Sequence, residues 1–276
     1  MRLKTILKYI NYQLTSFTEH DLHSPFVYHF YMEFIKNEYP FQDFIHLHTL
    51  RQQLLLNQSL IEFTDLGAGS KKLSNIGQTK TRKISDITNH GIASKKQAEF
   101  LYRLVNHFKP NTIIELGTSV GLTTMYLAKA SSSSQVYTIE GCPNLRKFSS
   151  LLFVQHNLNN IHSIEGNFND AFPKLLSSLS SVDFLYIDGN HTYESTMRYF
   201  NMALEKKTSQ SIFIFDDIYW SDGMQQAWQE ISNHPEVTLS LDLFYMGIVF
   251  FRTEHKFKEQ FVLKFLKLLS YKLKID

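Results

Sequence analysis

From Thr112 to Arg252 the chain repeats one rhythm: a short apolar run, a segment with helical spacing, then another apolar run. The runs are "TIIEL", "QVYTIE", "IHSIEG", "VDFLYID" and "SIFIFDD", and the segments between them are "TTMYLAKA", "NLRKFSSLLFVQHNL", "DAFPKLLSSL" and "YESTMRYFNMALE". None of the runs alternates polar with apolar residues, so each reads as a strand buried on both faces of a mostly parallel sheet layered with helices. A further helix, "DGMQQAWQEISNH", precedes "VTLSLDLFYMGIVFFR", which reads as two strands forming an antiparallel edge pair. The count is seven strands.

The rest of the chain is arranged around this core. Residues 1–90 read as an N-terminal accessory region. Its first sixty residues are helical, with Leu3, Ile6, Leu7 and Ile10 at spacings of three and four, and Ser24 and Pro25 opening a second helix. From Thr64 to Thr88 the composition turns to Gly, Ser, Lys and Thr and predicts a polar loop. Residues 91–255 hold the alternating core, and residues 256–276 read as a C-terminal amphipathic helix.

Two strings compete as the ligand turn of such a sheet: "FTDLGAGS" at 63–70 and "IIELGTSVGLTT" at 113–124. Ligands bind open parallel sheets beyond the carboxyl ends of the strands, where the first turn must bend sharply and let backbone approach the ligand. The second string has the required sequel, a helix and then a strand ending in Glu140, whose carboxylate is placed to accept ribose hydroxyls. The first runs into Lys71 and Lys72 and is expected to be a surface loop or a basic lid. The second string lacks the Gly-Lys-Ser/Thr ending of a phosphate loop and the Gly-x-Gly-x-x-Gly spacing of a dinucleotide fold.

Together, "IIELGTSVGLTTMYLAKA", "VYTIEG", "IEGNFND", "LYIDGNHTYEST" and "IFIFDDIYWSDGM" resemble a class I S-adenosylmethionine-dependent methyltransferase. The "DGNHTY" segment is similar to the Asp-Gly-x-His-x-Tyr motif of a small-molecule O-methyltransferase branch. The resemblance implies a Rossmann-like methyltransferase fold with S-adenosyl-L-methionine as cofactor. It places Glu115, Gly117, Ser119 and Gly121 around the methionine part, Glu140 and Gly141 at the ribose, and Gly166, Asn167 and Phe168 beside the adenine.

Methyl transfer from a sulfonium is a direct displacement, so the acceptor must be aligned and deprotonated as it attacks. Asp188 ends the fourth strand and His191 follows it, a suitable place for a base. Asp216 and Asp217 end the fifth strand, and a buried carboxylate must find a partner. Asp188, Asp216 and Asp217 are therefore candidate oxygen ligands for a divalent cation such as Mg. The cation-dependent catechol-type enzymes carry Asp-Asn where this chain has Asp-Asp, and a lysine at the His191 station. Tyr219 and Trp220 are candidates to line the acceptor site. His20, Asp21 and His23 fit no standard metal spacing and read as capping or packing residues.

A net charge of +2 announces no nucleic-acid partner, so a small-molecule acceptor is expected and an RNA acceptor is the alternative. A non-catalytic binding module, associating as a homodimer or at a membrane surface through its terminal helices, is a second alternative. The single cysteine, Cys142, forbids an intrachain disulfide and fits a cytoplasmic setting. No transmembrane segment is expected, because no apolar run reaches spanning length.

Overall fold

The computed structural model describes residues 3–64, 79–254 and 257–265. The chain divides into two compact units, a central one of residues 39–190 and a terminal one that joins residues 1–38 to residues 191–276.

The terminal unit begins with α1 (Leu3–Thr15) and α2 (Pro25–Phe30), the latter widening into a π turn at Tyr31–Lys36. Pro25 stands in the first turn of α2, where its missing N–H costs nothing. Ser24 occupies the cap position, but its hydroxyl donates to the Glu259 carboxylate at 3.1 Å instead of capping the helix. Asp21 accepts from the amide and hydroxyl of Thr18, so it closes a local turn between the exposed His20 and His23.

The central unit opens with α3 (Gln42–Leu56), followed by an antiparallel hairpin of β1 (Leu60–Thr64) and β2 (Thr79–Lys83), and then α4 (Ile84–His90). The polar loop expected from Thr64 to Thr88 is thus corrected at its far end. Lys80, Thr81, Arg82 and Lys83 are exposed yet form a strand, because their backbone groups find a ladder on β1. "DLGAGS" lies outside the described residues, as do Lys71 and Lys72. Next comes α5 (Lys95–Phe108), opened by a reciprocal capping box between Ser94 and Gln97. It is closed by Lys109 in the left-handed conformation ahead of Pro110.

The alternating core of this unit is β3 (Thr112–Leu116), α6 (Leu122–Ala130), β4 (Gln135–Glu140), α7 (Pro143–Gln155), β5 (Ile161–Glu165), α8 (Phe168–Ser178) and β6 (Phe184–Ile187). The four strands lie in the order β6-β3-β4-β5 and are all parallel. β3 is therefore the strand from which the chain winds outward in both directions, and the crevice at its carboxyl end is the topological switch point. Asp183 fixes the opposite end, its carboxylate accepting from the amides of Asn111 and Thr112 at 2.9 and 3.0 Å.

The terminal unit continues with α9 (Tyr193–Leu204), β7 (Ile212–Asp216), α10 (Asp222–Asn233), β8 (Leu239–Asp242), β9 (Met246–Phe250) and β10 (Glu259–Val262). Its strands order as β10-β8-β9-β7, with β9 antiparallel to both neighbours and β10 parallel to β8. The expected edge pair is present as β8 and β9. Two expectations are corrected: among the described residues the larger sheet has eight strands rather than seven, and the segment expected to be a C-terminal helix begins as strand β10. Glu259 to Val262 pair residue by residue with Leu239 to Asp242, giving partners to backbone groups on the open side of β8. Residues 266–276 lie outside the described residues.

Candidate functional site

In the central unit the carboxyl ends of four adjacent parallel strands present one set of turns. After β3 the chain reverses at Gly117, whose φ is +110° and whose amide donates to the carbonyl of Ile139 on β4. A Cβ at Gly117 would stand 2.1 Å from the carbonyl oxygen of Asp188, and Asp188 N in turn donates to Leu116 O. Ser119 and Gly121 also take positive φ, and Gly121 caps α6. A side chain at Gly121 would meet the Phe153 ring at 2.7 Å and Ser149 Cβ at 2.8 Å, so α6 can start here only if that residue has none.

Glu140, the last residue of β4, anchors this turn. One carboxylate oxygen accepts from Ser119 N and the other from Cys142 N, each at 2.8 Å. Burial pushes the Glu140 carboxyl up from its ordinary range, while the amides of Cys142, Ser119 and Gly141 pull it back. A carboxylate offers about four lone-pair directions, and the amides of Ser119 and Cys142 occupy one on each oxygen.

The hairpin docks just beyond. The carbonyl of Glu62 accepts from Asn144 Nδ2 at 3.0 Å and lies 3.7 Å from the Cys142 thiol. A shallow groove between β1 and α7 results, lined by Leu60, Glu62, Asn144, Lys147, Phe148 and Leu151.

After β5, Gly166 takes a φ of +151° and its amide donates to Glu140 O at 3.0 Å. Asn167 caps α8 by accepting from Asn169 N. Phe168, the first residue of α8, lays its ring against Gly189, where an added Cβ would be 2.8 Å away. The ring therefore reaches from the start of α8 to the turn after β6, and Gly189 is small so that the ring can lie there. The Asp188 carboxylate accepts from Tyr186 Oη at 3.2 Å.

Glu115 behaves differently. It is 0% exposed, and Oε2 accepts from Thr124 Oγ1 of α6 at 2.5 Å and from Thr138 Oγ1 of β4 at 2.6 Å. Oε1 has no hydrogen-bond partner. Burial pushes the carboxyl up to about 8, the two threonine hydroxyls oppose this, and the charges of Asp188 and Glu140 add to it. Glu115 thus supports the glycine turn from beneath, tying β3 to β4 and α6.

The remaining candidates belong to the terminal unit. His191 is partly buried and immediately precedes Thr192, the cap of α9. Asp216 ends β7 and is buried, and Asp217 takes a φ of +54° with its amide bonded to Tyr245 O. Tyr219 stacks on Phe244 with centroids 4.9 Å apart, while Trp220 is exposed. Asp242 was not legible as a site residue in the sequence. It is buried and accepts from Tyr219 Oη at 2.8 Å, Trp228 Nε1 at 3.2 Å and Phe244 N at 2.8 Å. Burial holds its carboxyl above the ordinary range against those three donors. The only sequence signal was an acid ending an apolar strand, "LSLD". Among the described residues no three His, Cys, Asp or Glu side chains gather into a group able to hold a metal ion.

Residues 114–218 match a family model described as a methyltransferase domain. An O-methyltransferase from Bacillus cereus in complex with SAH is 22% identical, with a TM-score of 0.52 over 58% of this chain and 83% of that one. An O-methyltransferase from Streptomyces achromogenes involved in tomaymycin synthesis, in complex with SAM, is 16% identical, with a TM-score of 0.51 over 59% of this chain and 82% of that one. An SAH-bound methyltransferase from Podospora anserina is 13% identical, with a TM-score of 0.54 over 84% of this chain and 97% of that one. No curated protein sequence matches the chain. The fold is that of the class I S-adenosylmethionine-dependent methyltransferases.

Proposed function

We propose that this chain is an S-adenosylmethionine-dependent methyltransferase acting on an oxygen of a small-molecule acceptor. The observation that carries the reading is the Glu140 carboxylate, held by the amides of Ser119 and Cys142 at the switch point beside the Gly117 turn. Its remaining lone pairs suit a ribose diol. The Phe168 ring and the Asn167 side chain suit an adenine, and the glycine turn suits the methionine part. The solved structures named above, with their SAM and SAH, support the same assignment.

S-adenosylmethionine, when bound, supplies a methyl group on a sulfonium. The protein's part is to align the acceptor and take its proton. We assign the proton to His191, which removes it from the acceptor hydroxyl as the new carbon–oxygen bond forms. Asp188 positions the acceptor and is itself steadied by Tyr186. No step is routed through a cation.

Calorimetric titration with S-adenosylmethionine and S-adenosylhomocysteine tests the reading. Both should bind wild type, and Glu140→Ala should bind far more weakly. No heat from either ligand with folded wild-type protein would overturn it.

A further inference from the structure

Glu115 steadies the glycine turn through bonds that an uncharged amide could also accept. Both hydroxyls, those of Thr124 and Thr138, meet its Oε2. Its Oε1 has no hydrogen-bond partner among the described residues, although the side chain is sealed from solvent. A carboxylate anion with one oxygen unpartnered in such a place is costly, whereas the neutral acid is not. The group therefore holds its proton up to about 8 and is neutral at pH 7. An ionisable side chain at this position needs a reason beyond support.

The carboxyl is sealed but not insulated from the crevice. Thr138 has one hydroxyl proton and gives it to Glu115, so in the 2.5 Å contact between Thr138 Oγ1 and Thr118 Oγ1 the donor is Thr118. Thr118 belongs to the turn itself, between Gly117 and Ser119. Charge at the strand ends also reaches Glu115. Asp188 after β6 and Glu140 at the end of β4 both favour its neutral form. Tyr186, its neighbour on β6, donates to Asp188. On α6 the one charged residue is Lys129, which pairs with Asp43 at 3.3 Å. Since negative charges at the crevice hold the proton on, a positive charge brought into the same crevice drives it off.

We infer that Glu115 makes the crevice distinguish the sulfonium cofactor from its thioether product: the carboxyl stays neutral until the sulfonium charge arrives, then releases its proton to the solvent and attracts that charge. The inference rests on the methyltransferase reading above. S-adenosylmethionine and S-adenosylhomocysteine share the adenine, ribose and amino-acid groups and differ by one methyl group and one positive charge. Because binding of the first releases a proton, its affinity rises with pH, and the rise ends near 8, where Glu115 is ionised before the ligand enters. The second lacks the charge and lacks that rise. Once the methyl group has been transferred, the attraction is gone and the product is held less tightly than the substrate.

Calorimetry of both ligands in buffers of different ionisation enthalpy counts the protons released. At about pH 6.5, S-adenosylmethionine should release about one proton more from wild type than from Glu115→Gln, and S-adenosylhomocysteine less than half as many more. Between about pH 6 and 8 the ratio of the two affinities should climb about fivefold further, or more, in wild type than in the variant. The ligand's own amine titrates alike in both proteins and cancels. Difference infrared spectroscopy of wild type needs no variant: S-adenosylmethionine should remove a protonated-carboxyl stretch that S-adenosylhomocysteine leaves in place. Equal proton counts for wild type and Glu115→Gln, or a band that both ligands or neither removes, would overturn the inference while leaving cofactor binding intact. No heat from either ligand would overturn the methyltransferase reading and this inference with it.

Discussion

Gly117 passes so close to Asp188 that a Cβ on the glycine would sit 2.1 Å from the aspartate's carbonyl oxygen. The contact joins the carboxyl ends of the neighbouring parallel strands β3 and β6. Neither partner can give way, because the obstructing atom is backbone and Asp188 N is itself bonded to Leu116 O. Gly117→Ala should cost roughly 3 kcal/mol or more, through the clash and a φ of +110°. Urea denaturation should show the loss, and S-adenosylhomocysteine affinity should fall with it. A variant of wild-type stability would contradict the geometry.

Glu140 holds two backbone amides and, on our reading, a ribose. Glu140→Gln keeps one acceptor oxygen and should retain the turn, whereas Glu140→Ala orphans both Ser119 N and Cys142 N. We expect the alanine variant to lose about 2 to 3 kcal/mol of cofactor binding, near a hundredfold in affinity, with the glutamine variant between it and wild type. Equal affinities by calorimetry would remove Glu140 from the ribose site.

Glu115 should make stability depend on pH in a sense opposite to that of a salt-bridged carboxylate. The unfolded chain releases this proton near 4.5 and the folded chain near 8. Between those values the native state binds more protons, so stability from this group is greatest below 4.5 and falls as pH rises through about 8. The full loss is on the order of 4 to 5 kcal/mol. Glu115→Gln cannot ionise, so its melting temperature should fall less than wild type's between pH 6 and 9 (about the window of the shift). Parallel curves for the two proteins would show that Glu115 ionises freely in the fold.

Asp242 gathers the Tyr219 hydroxyl and the Trp228 indole N–H on one oxygen. Asp242→Ala leaves both donors buried without that acceptor and should cost about 2 to 4 kcal/mol in denaturant titration. Asp242→Asn keeps an acceptor and should cost less. If alanine and asparagine prove equally mild, Asp242 is not what fixes the segment after Asp217.

The rhythm of apolar runs and helical segments was enough to read β3 through β9 and the glycine turns between them, because most strands there, β3, β6, β7, β8 and β9 above all, are buried along their length and each helix is bounded by a cap or a proline. It was not enough for β2. Thr79 to Lys83 has no apolar face, and only its ladder with β1 makes it a strand. Nor was it enough for β10, where "EQFV" fits one turn of an amphipathic helix as well as it fits an edge strand. The open side of β8 decides between them.

The site divides in the same way. Local sequence determined that Gly117, Glu140, Gly166 and Asp188 would stand at strand ends, since an apolar run followed by an acid or glycine marks where a buried strand must stop. Only the tertiary structure decided what each does there. Glu115 and Glu140 look alike in sequence, each an acid near the end of a strand. One is sealed beneath the turn by Thr124 and Thr138, and the other is held by backbone amides beside the crevice. Burial and partners separate two identical side chains, and neither property is written in local sequence, because both depend on residues that only folding brings near.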